Sequence, residues 1–216
     1  MLVRLPPMMR RHLSALRMLL VFTAVTGLAY PLAVTGLAQL AFAHHANGSL
    51  IEEHGRPVAS ALLGQSFALP KRNPADAGEQ LRPDPRWFQP RPSAADAGKG
   101  AGPYDPLASG ASNLGPANQV LVKEVAARRA AVAAFDGVPP ESVPADALTA
   151  SGSGLDPDIS PAYAEEQANR VARARGLSPV VVRRLVAARQ QGRSLGFLGS
   201  PHVNVVELNH ALAALH

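Results

Sequence analysis

The sequence predicts an α+β protein: one N-terminal transmembrane helix, then a single helix-rich α+β extracytoplasmic domain. Three observations predict it. Residues 18–43 run without a single charge. Short apolar runs broken by turn residues follow, over Leu50–Ile51 and Val58–Gly64. From Asn118 onward the punctuation is helical, with Ser-Pro openings and glycine closings.

The uncharged stretch, MLLVFTAVTGLAYPLAVTGLAQLAFA, would be about 39 Å long as a helix at about 1.5 Å per residue. A bilayer's hydrocarbon core is about 30 Å thick, so the segment spans it with some tilt. A cleaved signal peptide is the rival reading, supported by the basic start and the small-x-small triplet Ala41-Phe42-Ala43. Signal h-regions run about 7–15 residues, and the length here favours a retained anchor. Pro31, in the middle, removes a backbone donor and predicts a kink. Thr23, Gly27, Pro31 and Thr35 lie four apart, with Gln39 continuing the row. Such a ridge of small or weakly polar residues lets another membrane helix approach closely, although Gly, Pro and Thr are also ordinary in membrane helices.

The formal charge of +5 invites a nucleic-acid reading until it is located. Arg4, Arg10, Arg11 and Arg17 precede the anchor, and the rest is nearly balanced. The excess belongs to a short basic arm, so the domain carries no nucleic-acid footprint. By the positive-inside rule the arm faces the cytoplasm and the domain lies outside it. The resulting organisation is a cytoplasmic basic arm over 1–17, a transmembrane helix over 18–43 and an extracytoplasmic domain over 44–216. The chain has no cysteine, which excludes disulfides, thiolate catalysis and Cys-ligated metals.

In chain order, His44 and His45 fall at the expected membrane–water interface, with no third ligand nearby to make a metal site. A hairpin is predicted around Gly55. Residues 70–106 hold 8 of the 20 prolines, and a mobile loop is expected over 71–86. Trp87-Phe88 reads as a short buried strand or an anchor. A helix from Asn118 shares Leu121, Val125, Val132 and Phe135 on one face and ends at Gly137-Val138-Pro139-Pro140. Ser160-Pro161 opens the next helix, closed by Gly176. Ser178-Pro179 opens another, expected to reach Gly192 and to bury Val181, Val182, Leu185 and Val186. The last helix starts near Asn204 with Glu207 in capping-box position, its stripe being Leu208, Ala211, Leu212 and Leu215.

The chemistry-bearing patterns are sparse. Gly152-Ser153-Gly154-Leu155-Asp156-Pro157 lacks the Lys and Ser/Thr of a Walker loop, and Pro157 stands where a dinucleotide fingerprint needs its third glycine. No Gly-x-Ser-x-Gly elbow occurs. Asp156 and Asp158 lack EF-hand spacing and read as acidic residues favouring the start of the Ser160 helix. The histidines have no metal-protease spacing. These residues compose no active site.

An ordered series of segments carries a resemblance. It comprises Tyr30-Pro31, Asn47-Gly48-Ser49-Leu50, Ser60 to Phe67, Trp87 to Ala94, Tyr104-Asp105-Pro106, Ser109 to Pro116, Thr149 to Pro157 and Ile159-Ser160. Gln167, Arg170 to Leu177, Val203-Asn204-Val205 and Leu208-Asn209 complete it. Together they resemble the C subunit of the Kdp-type potassium-transporting P-type ATPase over nearly the whole chain. The chain departs from that pattern at Lys71–Arg86 and Lys99–Pro103, which look like loop insertions. It departs again at Ala111, where the family's loop usually has a second glycine.

The resemblance implies a non-catalytic subunit of the inner membrane, with ATP and potassium handled by the complex and no cofactor assigned to this chain. Its implied partners are a channel-like potassium-binding subunit and the P-type subunit that hydrolyses ATP. The implied roles are assembly, shaping of ion entry, and a rise in the catalytic subunit's affinity for ATP. The family-matching residues Arg91, Ser93, Asn113, Ser151, Ser153, Asp156, Gln167 and Arg170 are the candidates for a partner interface or regulation. Thr23, Gly27, Pro31 and Thr35 are the candidates for helix packing. Competing with assembly are a membrane-tethered binding or hydrolase domain unrelated to transport, and a nucleotide-binding regulator built on Ser151–Pro157. Cytoplasmic ATP lies across the membrane from a domain with the derived topology, which favours assembly.

Overall fold

Proline opens the first helix, where its missing N–H leaves nothing unpaired. In the computed structural model, which describes residues 6–73, 75–76, 78–96 and 102–215, helix α1 covers Pro7–Ala24. It passes through a π-turn at Val25–Ala29 into α2, Tyr30–Ala41. This continuous run of 35 residues is about 52 Å long at about 1.5 Å per residue. It contains no buried residue. Among the described residues it is the one helix long and apolar enough to cross a bilayer.

The helix starts at Pro7, so Arg10, Arg11 and Arg17 lie on it. Pro31 produces a π-turn, with the Tyr30 N–H reaching back to the Val25 carbonyl. The proline ring would clash with the carbonyl four residues earlier, and widening the preceding turn removes that clash. The Thr26 hydroxyl also donates to the Phe22 carbonyl at 2.6 Å.

Phe42 breaks the run at φ −140°, and one further turn follows, α3, Ala43–Ala46. The Gln39 and Asn47 side chains exchange two hydrogen bonds, 3.0 and 3.2 Å. His45 Nδ1 lies 3.1 Å from Ser49 Oγ. The chain divides into two units here, Met1–Ser49 and Leu50–His216.

The second unit begins with the predicted hairpin, β1 (Leu50–Glu53) and β2 (Arg56–Ser60), with Leu50 opposite Ser60 and a bulge between Ile51 and Glu52. His54 and Gly55 both take positive φ, 52° and 73°, as a tight hairpin turn requires. Residues 61–117 then contain no helix among those described. The loop over 71–86 is closed by Leu69 N–H to the Arg82 carbonyl and Asp84 N–H to the Phe67 carbonyl. Within it the Glu79 carboxylate accepts from the Arg72 and Asn73 N–H groups, both at 2.8 Å. Pro74 and Ala77 of the first inserted loop, and residues 97–101, which include the start of the second, lie outside the described residues.

The helices start where their caps predict. Helix α4, Gln119–Asp136, is capped by Asn118, whose side chain accepts from Val120 N–H, and ends on Gly137 at φ 74°. Two 3₁₀ turns follow, Pro140–Ser142 and Ala145–Ala147. Strand β3, Asp158–Ile159, leads into α5, Pro161–Arg175, with Ser160 accepting from Tyr163 N–H and Gly176 closing at φ 67°. Ser178 caps α6, Pro179–Arg189. Strands β4 (Gln190–Gln191) and β5 (His202–Asn204) precede α7, Val205–Ala213, whose cap Asn204 accepts from Val206 and Glu207 N–H.

Antiparallel pairing gives the strand order β3-β5-β4, a small sheet that the sequence reading missed. It also corrects α6, which ends at Arg189 and not at Gly192, because Gln190 leaves the helix to pair with Val203. Val182 and Val186 are buried as expected, but Val181 is 41% exposed. Trp87-Phe88 is an anchor rather than a strand, and Phe88 is fully enclosed. Around it pack Val171 of α5, Val182 of α6, Val203 and Val205 at the sheet, and Leu208 and Leu212 of α7.

Asn204 caps α7 and also donates to the Ala61 carbonyl at 2.7 Å, joining the end of β2 to β5. Asn204→Ala should therefore destabilise the domain by about 1–2 kcal/mol, the usual cost of a lost N-cap. Urea unfolding of the full chain, followed by the fluorescence of its one tryptophan, checks this.

Candidate functional site

Five consecutive peptide carbonyls, from Pro85 to Gln89, each accept a hydrogen bond from a side chain. Arg170 Nη1 donates to Pro85 and Trp87 at 2.7 and 2.9 Å. Arg175 Nε donates to Arg86 at 3.0 Å. Asn209 bonds both the N–H and the carbonyl of Phe88, each at 2.9 Å. Gln167 does the same for Gln89, at 2.6 and 3.0 Å. Two carboxamides, one from α5 and one from α7, thus stand in for the neighbouring strand that the segment lacks. A buried backbone group left unpaired would be costly, so this pairing lets an irregular segment cross the core.

Arg170 is the hub. Its side chain is 4% exposed and that of its ion-pair partner Asp136 1%. Nη2 donates to Gln167 at 2.7 Å, and the guanidinium carbon sits 4.4 Å from the Phe135 ring centre. Burial pushes the Asp136 carboxyl up, while the Arg170 guanidinium works against that shift. Arg175 lies over the Trp87 ring at 4.3 Å and also donates to the Leu212 carbonyl. Asp84, paired with Arg86 at 2.7 Å, is held below the usual carboxylate range by that bond.

A second cluster holds the loops together. Arg91 donates to Asp156 at 3.1 Å and to the Thr149 carbonyl at 3.4 Å. Ser93 Oγ donates to the Gly154 carbonyl at 2.6 Å and accepts from Ala95 and Tyr104 N–H, both at 3.1 Å. The Tyr104 hydroxyl returns to the Arg91 carbonyl. Burial first, and then the Asp156 charge, raise the Tyr104 phenol well above its ordinary value. The Ser153 carbonyl accepts from Gly110 N–H and the Ser109 hydroxyl. Gly154 must be glycine. Its φ is +69°, and a Cβ there would stand 2.7 Å from both Ala95 N and the Gly110 carbonyl oxygen.

The predicted residues therefore fall into two groups. Gln167 and Arg170 belong to the core clamp, and Arg91, Ser93, Ser153 and Asp156 to the loop cage. The carbonyl of Ser151, itself buried, accepts from Gly154 N–H in the same cage. Asn113 stands apart, exposed, at φ 53°, bonded to the Ala111 carbonyl. Ser153 Oγ accepts from Leu155 N–H, a backbone group and not a base. Among the described residues, no three His, Cys, Asp or Glu side chains form a metal-binding group.

Two site features were not foreseen. The acidic residue that serves the start of α5 is Asp146, whose oxygens bond Ser160 N–H and Oγ at 2.7 and 2.9 Å. Asp156 instead pairs with Arg91 and accepts from Asp158 N–H. Asp136 as the ion-pair partner of Arg170 was also missed. A signal was present: an acidic side chain in a helix's last turn opposes the helix dipole and calls for a nearby cation.

Glu166, on α5, has a buried Oε1 without a hydrogen-bond partner among the described residues. Burial, reinforced by the negative charges of Asp136 and Asp146, pushes its carboxyl up to about 7.

Comparison with known proteins connects this sequence to a family. A family model described as "KdpC: K+-transporting ATPase, c chain" matches residues 12–214. The chain is 52% identical over 212 residues to the potassium-transporting ATPase KdpC subunit of Kineococcus radiotolerans, covering 98% of this chain and 97% of the relative. It is 52% identical to that of Sorangium cellulosum, covering 94% and 98% respectively. With the subunit of Streptomyces avermitilis the identity is 47%, over 94% of this chain and 92% of the relative.

Arg170→Met should cost about 3–5 kcal/mol, because it strands the buried Asp136 charge and frees two backbone carbonyls. Adding Asp136→Asn should restore part of that loss, as a double-mutant cycle in urea would read. For Glu166 the folded chain keeps a proton that the unfolded chain releases between pH 4.5 and about 7. Stability from this group therefore falls as pH rises through that window. Glu166→Gln should raise the thermal midpoint at pH 7.5 and leave it nearly unchanged at pH 4.5.

Proposed function

The chain belongs to the KdpC family and is a subunit of a K+-transporting ATPase, and on that premise we propose that it acts as the assembly subunit. In this reading the helix Pro7–Ala41 crosses the inner membrane once, with the N-terminus in the cytoplasm and the domain outside. It joins the channel-like potassium-binding subunit to the P-type subunit that hydrolyses ATP, and it carries out no chemistry itself.

One observation carries the proposal: a spanning-length helix with no buried residue, in whose sequence Thr23, Gly27, Pro31 and Thr35 recur every four positions. Nothing lies within 4 Å of a Cβ placed on Gly27. A π-turn at Val25–Ala29 would straighten such a row. Residues four apart advance about 40° per step around an α-helix of 3.6 residues per turn. A turn closed between residues five apart takes more than four residues per revolution, so it reverses that drift. The four residues then make a straighter seam for a neighbouring helix to pack against.

The domain supports the same reading. Ser93, Arg91 and Arg170 are occupied in holding backbone, which suits a rigid spacer better than a hydrolase. Arg91, Ser93, Ser151, Asp156, Gln167 and Arg170 then act on partners through the shape they fix, whereas the exposed Asn113 and Ser153 can touch a partner directly. Any rise in the catalytic subunit's ATP affinity passes through the helix, since the domain and ATP lie on opposite sides of the membrane.

Gly27→Leu should fill the seam. We expect the tagged chain to copurify with substantially less of the other two subunits, and potassium-stimulated ATPase activity to fall in proportion. Full copurification with an unchanged rate would eliminate the seam. An intact complex that requires much more ATP for half-maximal rate would place the chain's role in ATP affinity instead.

A further inference from the structure

Between β4 and β5 the chain projects a preformed, apolar-tipped hairpin. Every residue from Ala187 to Pro201 is exposed. Leu195 is 83% exposed, Phe197 69% and Leu198 50%. The tip is ordered by its own hydrogen bonds. Ser194 and Leu198 exchange backbone bonds at 2.9 Å each, and Gly196 N–H reaches the Arg193 carbonyl. Leu195, Gly196 and Gly199 all adopt positive φ. Holding three large apolar side chains half or more exposed on a fixed turn costs free energy, and no described residue buries them.

The segment's own charge is one-sided. From Gly176 to Val206 there are four arginines and no acidic residue. Arg183 is paired with Glu165. Arg184, Arg189 and Arg193 form no ion pair among the described residues and are exposed. Apolar side chains at a tip, flanked by unpaired guanidinium groups, match the two layers of an anionic bilayer surface.

The tether makes contact feasible. Residues 42–49 separate the end of α2 from Leu50, a reach of at most about 30 Å. Within the domain Leu50 pairs with Ser60, and the Ala61 carbonyl accepts from Asn204. The tip is therefore within about 40 Å of Leu50 at strand-like rise. We propose that this hairpin docks on the bilayer that holds the helix. Leu195, Phe197 and Leu198 enter the headgroup layer, and Arg184, Arg189 and Arg193 face lipid phosphates. The proposal rests on Pro7–Ala41 being a spanning helix.

The chain has no cysteine, so a single introduced one takes a spin label at a chosen position. The full chain would carry Leu195→Cys, Leu32→Cys in the helix, or Leu107→Cys, which is 95% exposed. Each would be reconstituted in vesicles of phosphatidylcholine with or without 30% phosphatidylglycerol. Collision rates with oxygen and with a water-soluble nickel chelate then report depth. We expect the oxygen-to-nickel ratio at Leu195→Cys to exceed that at Leu107→Cys several-fold in anionic vesicles. Adding Arg189→Glu and Arg193→Glu should abolish the difference. Equal ratios at Leu195→Cys and Leu107→Cys would overturn the proposal. So would a label shielded from both reagents only once the other subunits are added, which would assign the tip to a protein surface. A water-exposed Leu32→Cys would instead remove the spanning helix, and the hairpin proposal with it.

Discussion

The domain depends on one requirement: the segment Pro85 to Gln89, which enters the core at Phe88, must find donors for its carbonyls with no neighbouring strand beside it. Arg170, Gln167, Arg175 and Asn209 supply them. Once these side chains are committed, much else is fixed. Arg170 needs a buried counter-charge, which brings in Asp136 at the end of α4 and sets where α4 meets α5. Asn209 fixes the rotation of α7, and Arg175 ties the end of α5 to the end of α7 through Leu212. Phe88, held on both backbone sides, fills the centre of the apolar cluster. A buried polar network of this kind is stabilising only when it is complete.

The local parts of the fold were legible because their causes are local. Ser160-Pro161, Ser178-Pro179 and Asn204 each cap a helix with an oxygen two or three residues from its donor, and the sequence displays both ends of that bond. Gly137 and Gly176 likewise stand at left-handed turns. The three-stranded sheet was not legible. Its strands are two or three residues long, too short for alternation to register, and their pairing joins segments far apart in sequence. The same limit hid Asp136 as the partner of Arg170, and Asp146 as the acidic cap of α5.

The candidate residues divide by the same logic. An ordered series of short segments identified the family, yet a match does not say whether a side chain meets a partner or its own backbone. The geometry separates these roles. Gly154 is fixed by crowding against Ala95 and Gly110, and Ser93 by three backbone partners. Asn113 is bonded only within its own turn and remains exposed. Of the residues singled out, those most specific in type serve the domain's own shape.

The clamp around Trp87 to Gln89 also has a consequence in time. Its bonds join residues 78 and 121 positions apart, so the centre of the core cannot close until the last helix has been synthesised. Loop-closure entropy must be met before any of these contacts is rewarded, which makes such a domain slow to fold for its size. During synthesis the helix near the N-terminus is available to the membrane long before the domain is complete. A helix of spanning length is thus complete before the core, which closes only once α7 arrives.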